Sequence, residues 1–388
     1  MMSRAILRTG IVALICLQHV STFKLVCYFT NWSQYREEPG RFITDHIDPG
    51  LCTHIIYAFA KIENNMIAAT EWNDLSTYES IHQLKTRNPT LKTLLSVGGY
   101  SLGSAPFRLI TRSPATRSDF VMSVVRFLRE NNFDGLDLSW QTPEQNDKRR
   151  LVNLVTELSL TFENEAKNNP SKEKLILSVT VPSGKEAIDN GYDIKSISSS
   201  ADFLNFLTYD LHGYWEDNSH AYTGHVSPLK KGLADSGTAS SYNVDYAVKY
   251  LISRGAQAEK IVMGIPTYGR TFTLSSHQSG VGSVASGPGN PGPFTKERGI
   301  LAYYEICSFN YGARKEWIAE QAVPYSYKGN QWVGYEDVRS VALKVQYMKQ
   351  NNLGGIMIWT LDQDDFSGSF CNEGKYPLLG AVKKELDK

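Results

Sequence analysis

The side chains best placed to do chemistry lie in one short segment, Phe133-Asp134-Gly135-Leu136-Asp137-Leu138-Ser139-Trp140-Gln141. Side chains alternate along an extended strand, so Asp137, Ser139 and Gln141 share one face while Leu136, Leu138 and Trp140 share the other. An acid, a hydroxyl and an amide in a row can hydrogen-bond, but only the acid exchanges a proton; an amide has none to give at any accessible pH. Burying such a row without partners costs roughly 1–3 kcal/mol per group. Either a structural polar network or a ligand must therefore satisfy it.

The elements that position this row can be read from periodicity. Short runs rich in β-branched residues recur at 24–30, 54–60, 93–97, 135–140, 175–181, 203–209, 260–265 and 355–361, which predicts eight strands. Between them, apolar residues spaced by three and four predict helices, among them 113–130, 149–166, 244–254 and 338–351. The first of these opens with Ser113 as N-cap and Pro114 at the first helical position. Eight strand-helix alternations fit an α/β fold, the (β/α)8 TIM barrel. A doubly wound open sheet is the alternative, but no GxGxxG follows an early strand. In a barrel the apolar face of 135–140 meets the helices and the polar row points inward at the mouth. The gap between the seventh and eighth strands is too long for one helix, and its Gly/Pro-rich stretch at 287–293 with the strand-like runs around it predicts an α+β insertion over 271–335.

The chain has 388 residues, 41% hydrophobic, with 40 Lys+Arg against 40 Asp+Glu. That composition excludes a disordered chain and gives no basic surface for nucleic acid. Its 21 Tyr, 16 Phe and 7 Trp suffice to line a groove as well as fill a core. Arg4 and Arg8 before the apolar stretch 11–16 and the small polar Ser21 and Thr22 predict a secretory signal peptide over 1–22, leaving 23–388 as the mature domain. Its removal takes away two Arg, no acid, and Cys16. No later stretch is long enough to span a membrane. Cys27, Cys52, Cys307 and Cys371 remain in an oxidising compartment, where three pairings are possible. There is no CxxC and no His pair at metal-ligand spacing, so neither metal nor organic cofactor is implied.

The signature segment resembles Asp-Gly-x-Asp-x-Asp-x-Glu of the chitinases of glycoside hydrolase family 18. Further similar stretches follow in order: Cys27-Tyr28-Phe29-Thr30-Asn31-Trp32, Leu94-Leu95-Ser96-Val97-Gly98-Gly99, Thr208-Tyr209-Asp210-Leu211-His212-Gly213, Pro266-Thr267-Tyr268-Gly269-Arg270 and Ile358-Trp359-Thr360-Leu361-Asp362. The resemblance covers essentially the whole mature chain, and Ser33-Gln34-Tyr35-Arg36 looks most like the vertebrate chitinase-3-like secreted lectins.

In active members of that family the closing Glu protonates the glycosidic oxygen, while the substrate's acetamido group attacks and the preceding Asp orients it. Gln141 and Ser139 stand at those two positions. The resemblance therefore implies a secreted, monomeric, non-hydrolysing lectin for chitin or chito-oligosaccharides, with no catalytic residues. Its implied sugar-binding set is Tyr28, Trp32, Gly98, Tyr100, Asp137, Gln141, Tyr209, Asp210, Trp215, Tyr268, Arg270, Glu297 and Trp359. Among these Trp359 is the floor, and Asp137 keeps an altered acetamido contact. It also implies the disulfides Cys27–Cys52 and Cys307–Cys371. Tyr100 and Thr142 stand where the family usually has Trp and Tyr, which reduces stacking area. A weakly active chitinase, and a signalling protein working through a cell-surface receptor, are the competing accounts. Asp147-Lys148-Arg149-Arg150 is a helix surface that could touch a heparan-type glycosaminoglycan, and Asn31-Trp32-Ser33 fits the N-glycosylation pattern.

Overall fold

A computed structural model describes residues 23–215, 221–233 and 235–388. The predicted signal peptide lies outside these. Eight parallel strands form the core: β1 (Lys24–Thr30), β2 (His54–Glu63), β3 (Lys92–Gly98), β4 (Gly135–Ser139), β5 (Ile176–Pro182), β6 (Phe203–Leu207), β7 (Ile261–Pro266) and β8 (Gly355–Trp359). Each pairs with its sequence neighbour, and β1 pairs with β8, which closes the sheet into the expected (β/α)8 barrel. Strands covered by helices on one side and barrel interior on the other are buried on both faces, which is why they read as nearly unbroken apolar runs. All five residues of β4 are buried.

Helices Pro114–Glu130 and Lys148–Asn168 cover the barrel beside β4. The Ser113 side chain caps the first by accepting from Thr116 N at 3.2 Å, with Pro114 at the first position as expected. Gly98 ends β3 at a point of close approach: a Cβ there would lie 2.2 Å from Ser139 O, and Gly99 N donates to that carbonyl at 2.9 Å. Only glycine lets β3 and β4 deliver their ends side by side.

Between β7 and β8 the chain builds most of a second, antiparallel sheet, which the strand Ala221–Tyr222 joins from between β6 and β7. Its order is Arg314–Ile318, Val323–Lys328, Gln331–Gly334, Tyr268–Leu274, Val284–Pro288, Ala221–Tyr222, with Ile300–Ala302 also on Tyr268–Leu274. Cys27–Cys52 ties β1 to the segment ahead of β2, and Cys307–Cys371 ties the helix Tyr303–Phe309 to the C-terminal segment.

Two barrel-bottom histidines make stability pH-dependent. Burial pushes His54 and His82 down to about 4, with Lys24 and Lys85 respectively adding to the effect. Each folded pKa lies below the unfolded value near 6.5, so the unfolded chain binds more protons between pH 4 and 6.5. Their contribution is complete above pH 6.5 and lost as pH falls to 4. Buried Asp364, pushed up to about 7, has the opposite slope, so the test compares variant with wild type. His82→Gln should make the fall in unfolding free energy between pH 6.5 and 4 shallower by about 1–3 kcal/mol, read from urea denaturation at each pH.

Candidate carbohydrate site at the barrel mouth

Asp137 points into the barrel from β4 and is fully buried. Its Oδ2 accepts from Ser96 Oγ at 2.6 Å and Tyr28 Oη at 2.8 Å; its Oδ1 accepts from Ser178 Oγ at 2.7 Å and Asn205 Nδ2 at 3.0 Å. Thr180 Oγ1 adds a longer bond to Oδ2 at 3.3 Å. Burial pushes this carboxyl's pKa up, and the hydrogen bonds from Ser96, Ser178, Tyr28 and Asn205 pull against that rise. Both oxygens are engaged by protein donors in this geometry. The residue lies beneath the site and fixes the groups around it.

Above it, Ser139 is almost fully buried and Gln141 half-buried. Gln141 Nε2 donates to Ser139 Oγ at 3.0 Å, which ties the amide to the hydroxyl. Neither carries an acidic proton.

The rings gather at the ends of β1, β2 and β8. Tyr28 packs against Trp359 with centroids 5.0 Å apart, and so links the Asp137 network to the aromatic wall. Trp32 stacks on Phe59 at 6.0 Å, and Phe59 on Trp359 at 5.9 Å. Phe59 was not anticipated. A register irregularity between Ala58 and Ala60 takes it out of the ladder with β3, so simple alternation along β2 does not predict where it goes.

Opposite stands a polar cluster. Asp210, directly after Tyr209 and in the left-handed region at φ 56°, accepts from Arg270 Nε at 2.7 Å and Nη2 at 2.8 Å, and from Tyr268 Oη at 2.5 Å. The Arg270 guanidinium lies 4.3 Å from the centre of the Trp215 ring, whose side chain is half exposed. Tyr209 is nearly buried and meets Tyr268 edge-on at 6.2 Å.

These groups border a cavity of about 400 Å³ lined by Trp32, Asp210, Tyr268, Arg270, Glu297 and Trp359 from the expected set. Arg36, Glu37, Phe294, Lys296 and Gln363 line it as well, and were not anticipated. They sit in the segments after β1 and β8 or in the inserted segment, outside the strand runs that the sequence makes legible. Tyr28, Gly98, Asp137, Ser139, Gln141, Tyr209 and Trp215 are outside this lining, in the floor and flank, and Tyr100 stands free on the rim at 87% exposure.

Two other sequence features resolve structurally. Asn31 is only 3% exposed and its Nδ2 donates to Asp74 Oδ1 at 3.2 Å and Phe59 O at 3.3 Å, so the folded chain does not present it for glycosylation. In the basic cluster, Lys148 donates to Asp189 O, Arg150 to Arg108 O, and Asp147 takes the Arg108 guanidinium. Of its three cations only Arg149 is exposed, so the cluster is not an open cationic patch. Among the described residues no group of His, Cys, Asp or Glu could hold a metal ion, and no helix is long and apolar enough to cross a membrane.

The structure thus combines a closed parallel (β/α)8 barrel with a polar row at the end of its fourth strand and an aromatic wall at its mouth. The chain belongs to the glycosyl hydrolases family 18, which it matches over residues 24–364. It is 50% identical to human Chitinase-3-like protein 2 over 385 residues, 99% of this chain and 98% of that one. It is 46% identical to mouse Chitotriosidase-1, covering 97% of this chain and 81% of the relative. The structure of human YKL-39, a pseudo-chitinase with retained chitooligosaccharide binding properties, superposes with a TM-score of 0.92 at 50% identity, covering 94% of this chain and 100% of that one. An Ostrinia furnacalis Group IV chitinase in complex with allosamidin gives 0.88 at 36% identity, covering 94% of this chain and 99% of that one.

The Asp137 network generates a stability prediction. Asp137→Ala leaves hydrogen-bond donors from Tyr28, Ser96, Ser178, Thr180 and Asn205 without their shared acceptor, and should lower the unfolding free energy by about 3–5 kcal/mol. Asp137→Asn, which keeps one acceptor oxygen, should cost less, with both read from guanidinium denaturation.

Proposed function

We propose that this protein is a secreted lectin of the chitinase fold that binds chitin and N-acetylglucosamine oligosaccharides in the cleft at the barrel mouth and does not hydrolyse them. One observation carries the reading: the end of β4 presents Gln141 and Ser139, hydrogen-bonded to each other, where the family's chemistry needs a proton donor and an orienting carboxylate. General acid catalysis contributes about 10²- to 10⁴-fold, and a sugar alkoxide is a poor leaving group without it. The two aspartates nearest the site in sequence and space are both engaged. Asp137 is buried with both oxygens held, and the Asp210 carboxylate is engaged by Arg270 and Tyr268. These contacts argue against a weakly active enzyme.

What is left suits a neutral sugar. N-acetylglucosamine has apolar ring faces edged by hydroxyls, and a receptor for it needs flat rings and a few directed hydrogen bonds. Trp359, Phe59 and Trp32 supply the rings; Asp210 and Arg270 supply the hydrogen bonds. The apolar, Arg-led leader sequence supports secretion, and the relatives' names support chitin oligomers as the ligand class.

Purified protein should show saturable calorimetric binding of chitin oligomers and no cleavage of a labelled chitotrioside. Turnover above about 1% of that of an active chitinase would sink the non-hydrolysing half. Trp359→Ala should weaken binding about tenfold or more. The double variant Ser139→Asp with Gln141→Glu should raise hydrolysis by orders of magnitude if the scaffold is otherwise competent.

A further inference from the structure

One complete charge pair is buried away from the cleft and has no part in the site so far described. Glu336 follows the strand Gln331–Gly334, and Lys344 lies in the helix Val338–Gln350. Their side chains form an ion pair with no solvent exposure at all, and Ser340 Oγ donates to Glu336 Oε2 at 2.6 Å. Such pairs are poor stabilisers: apolar replacements of similar volume are often neutral or stabilising, because the cost of dehydrating two charges is avoided.

The remaining ammonium protons suggest what the pair does. Lys344 Nζ donates to Ser227 O and to Ser227 Oγ, each at 2.6 Å, and Ser227 Oγ donates onward to Thr208 O at 2.6 Å. Thr208 is two residues ahead of Asp210. On the other side of Asp210, Leu211 N donates to Val226 O at 3.0 Å. His225 completes the clamp: its Nδ1 accepts from Ser227 N at 2.9 Å, so Nε2 carries the proton and donates to Tyr335 O at 2.7 Å. Segment 225–227 therefore grips the turn at 208–211 from both sides. It is itself held by Lys344 and by Tyr335, next to Glu336.

We propose that the buried Lys344–Glu336 pair is a positioning device for Asp210: acting through Ser227, it sets the backbone of the 208–211 turn and so the carboxylate that orients Arg270 and Tyr268 in the cleft. The affinity arm of the test rests on the proposed lectin function; the spectroscopic arm does not.

The full chain would be compared as wild type, Lys344→Met with Glu336→Leu, Ser227→Ala, and Asp210→Ala. Readouts are the denaturation midpoint, the Arg270 Nε–H resonance in a ¹⁵N correlation spectrum (assigned with Arg270→Lys), and calorimetric affinity for the N-acetylglucosamine tetramer. The double variant should keep or raise its midpoint, shift or broaden the Arg270 resonance, and lose affinity about 3- to 30-fold, with Ser227→Ala moving the same way by less. An unmoved Arg270 resonance in a folded double variant and in Ser227→Ala overturns the proposal. If the double variant does not fold, Ser227→Ala decides alone. If Asp210→Ala weakens binding but Ser227→Ala changes neither the resonance nor the affinity, the proposal fails while the lectin reading stands. If the resonance moves but Asp210→Ala binds as tightly as wild type, the positioning stands and Asp210's part in holding sugar fails.

Discussion

The Asp137 carboxylate is the constraint around which the barrel mouth is organised. A carboxyl at that depth must be solvated by protein, and here the shell around Asp137 on β4 is assembled from four other strands: Tyr28 on β1, Ser96 on β3, Ser178 and Thr180 on β5, and Asn205 on β6. No two adjacent strands could supply this shell, so it forms only when the sheet has closed. Tyr28 then carries the order outward, since its hydroxyl is fixed to Asp137 while its ring supports Trp359. Packing at the floor thereby sets the plane of the aromatic wall.

A second polar layer sits higher and is built differently. Asp210 is partly exposed and occupies a left-handed turn, a conformation that Asp tolerates better than most side chains. Its carboxylate is fixed by groups from the strand Tyr268–Leu274, so the second sheet sets this side of the cleft as the barrel sets the other. Glu297, Phe294 and Lys296 come from the same inserted segment and extend that wall. The cleft is thus a joint between two sheets, and its width depends on how firmly they are held together.

Legibility in the sequence followed burial. The eight barrel strands are enclosed on both faces, so unbroken apolar runs such as Leu25 to Phe29 announce them. The second sheet is half exposed and rich in small and polar residues; Val284–Pro288 alternates between exposed and buried with no large side chain, so it reads as loop. Motif position does not separate Trp359, which lines the cavity, from Asp137, which is fully buried outside that lining. Phe59 was hidden by the register irregularity in β2. Lys344 was hidden more thoroughly, because a lysine four residues from Ser340 on an amphipathic helix is ordinarily a solvated side chain. Only tertiary contacts with Ser227 and Glu336 reveal that it is not.

Gln141 and Ser139 fit the end of β4 without disturbing this architecture, and the contacts explain why. A lone Gln or a lone Ser at these depths would leave polar atoms without partners, at roughly 1–3 kcal/mol each. Together they close on each other, Gln141 donating to Ser139. Neither touches the Asp137 shell, and neither belongs to the aromatic wall or the Asp210 cluster. Ser139 and Gln141 sit at the end of β4, whereas Trp359, Trp32 and Asp210 sit on other elements with contacts of their own. In such an arrangement two substitutions at one strand end can leave the aromatic wall and the Asp210 cluster in place.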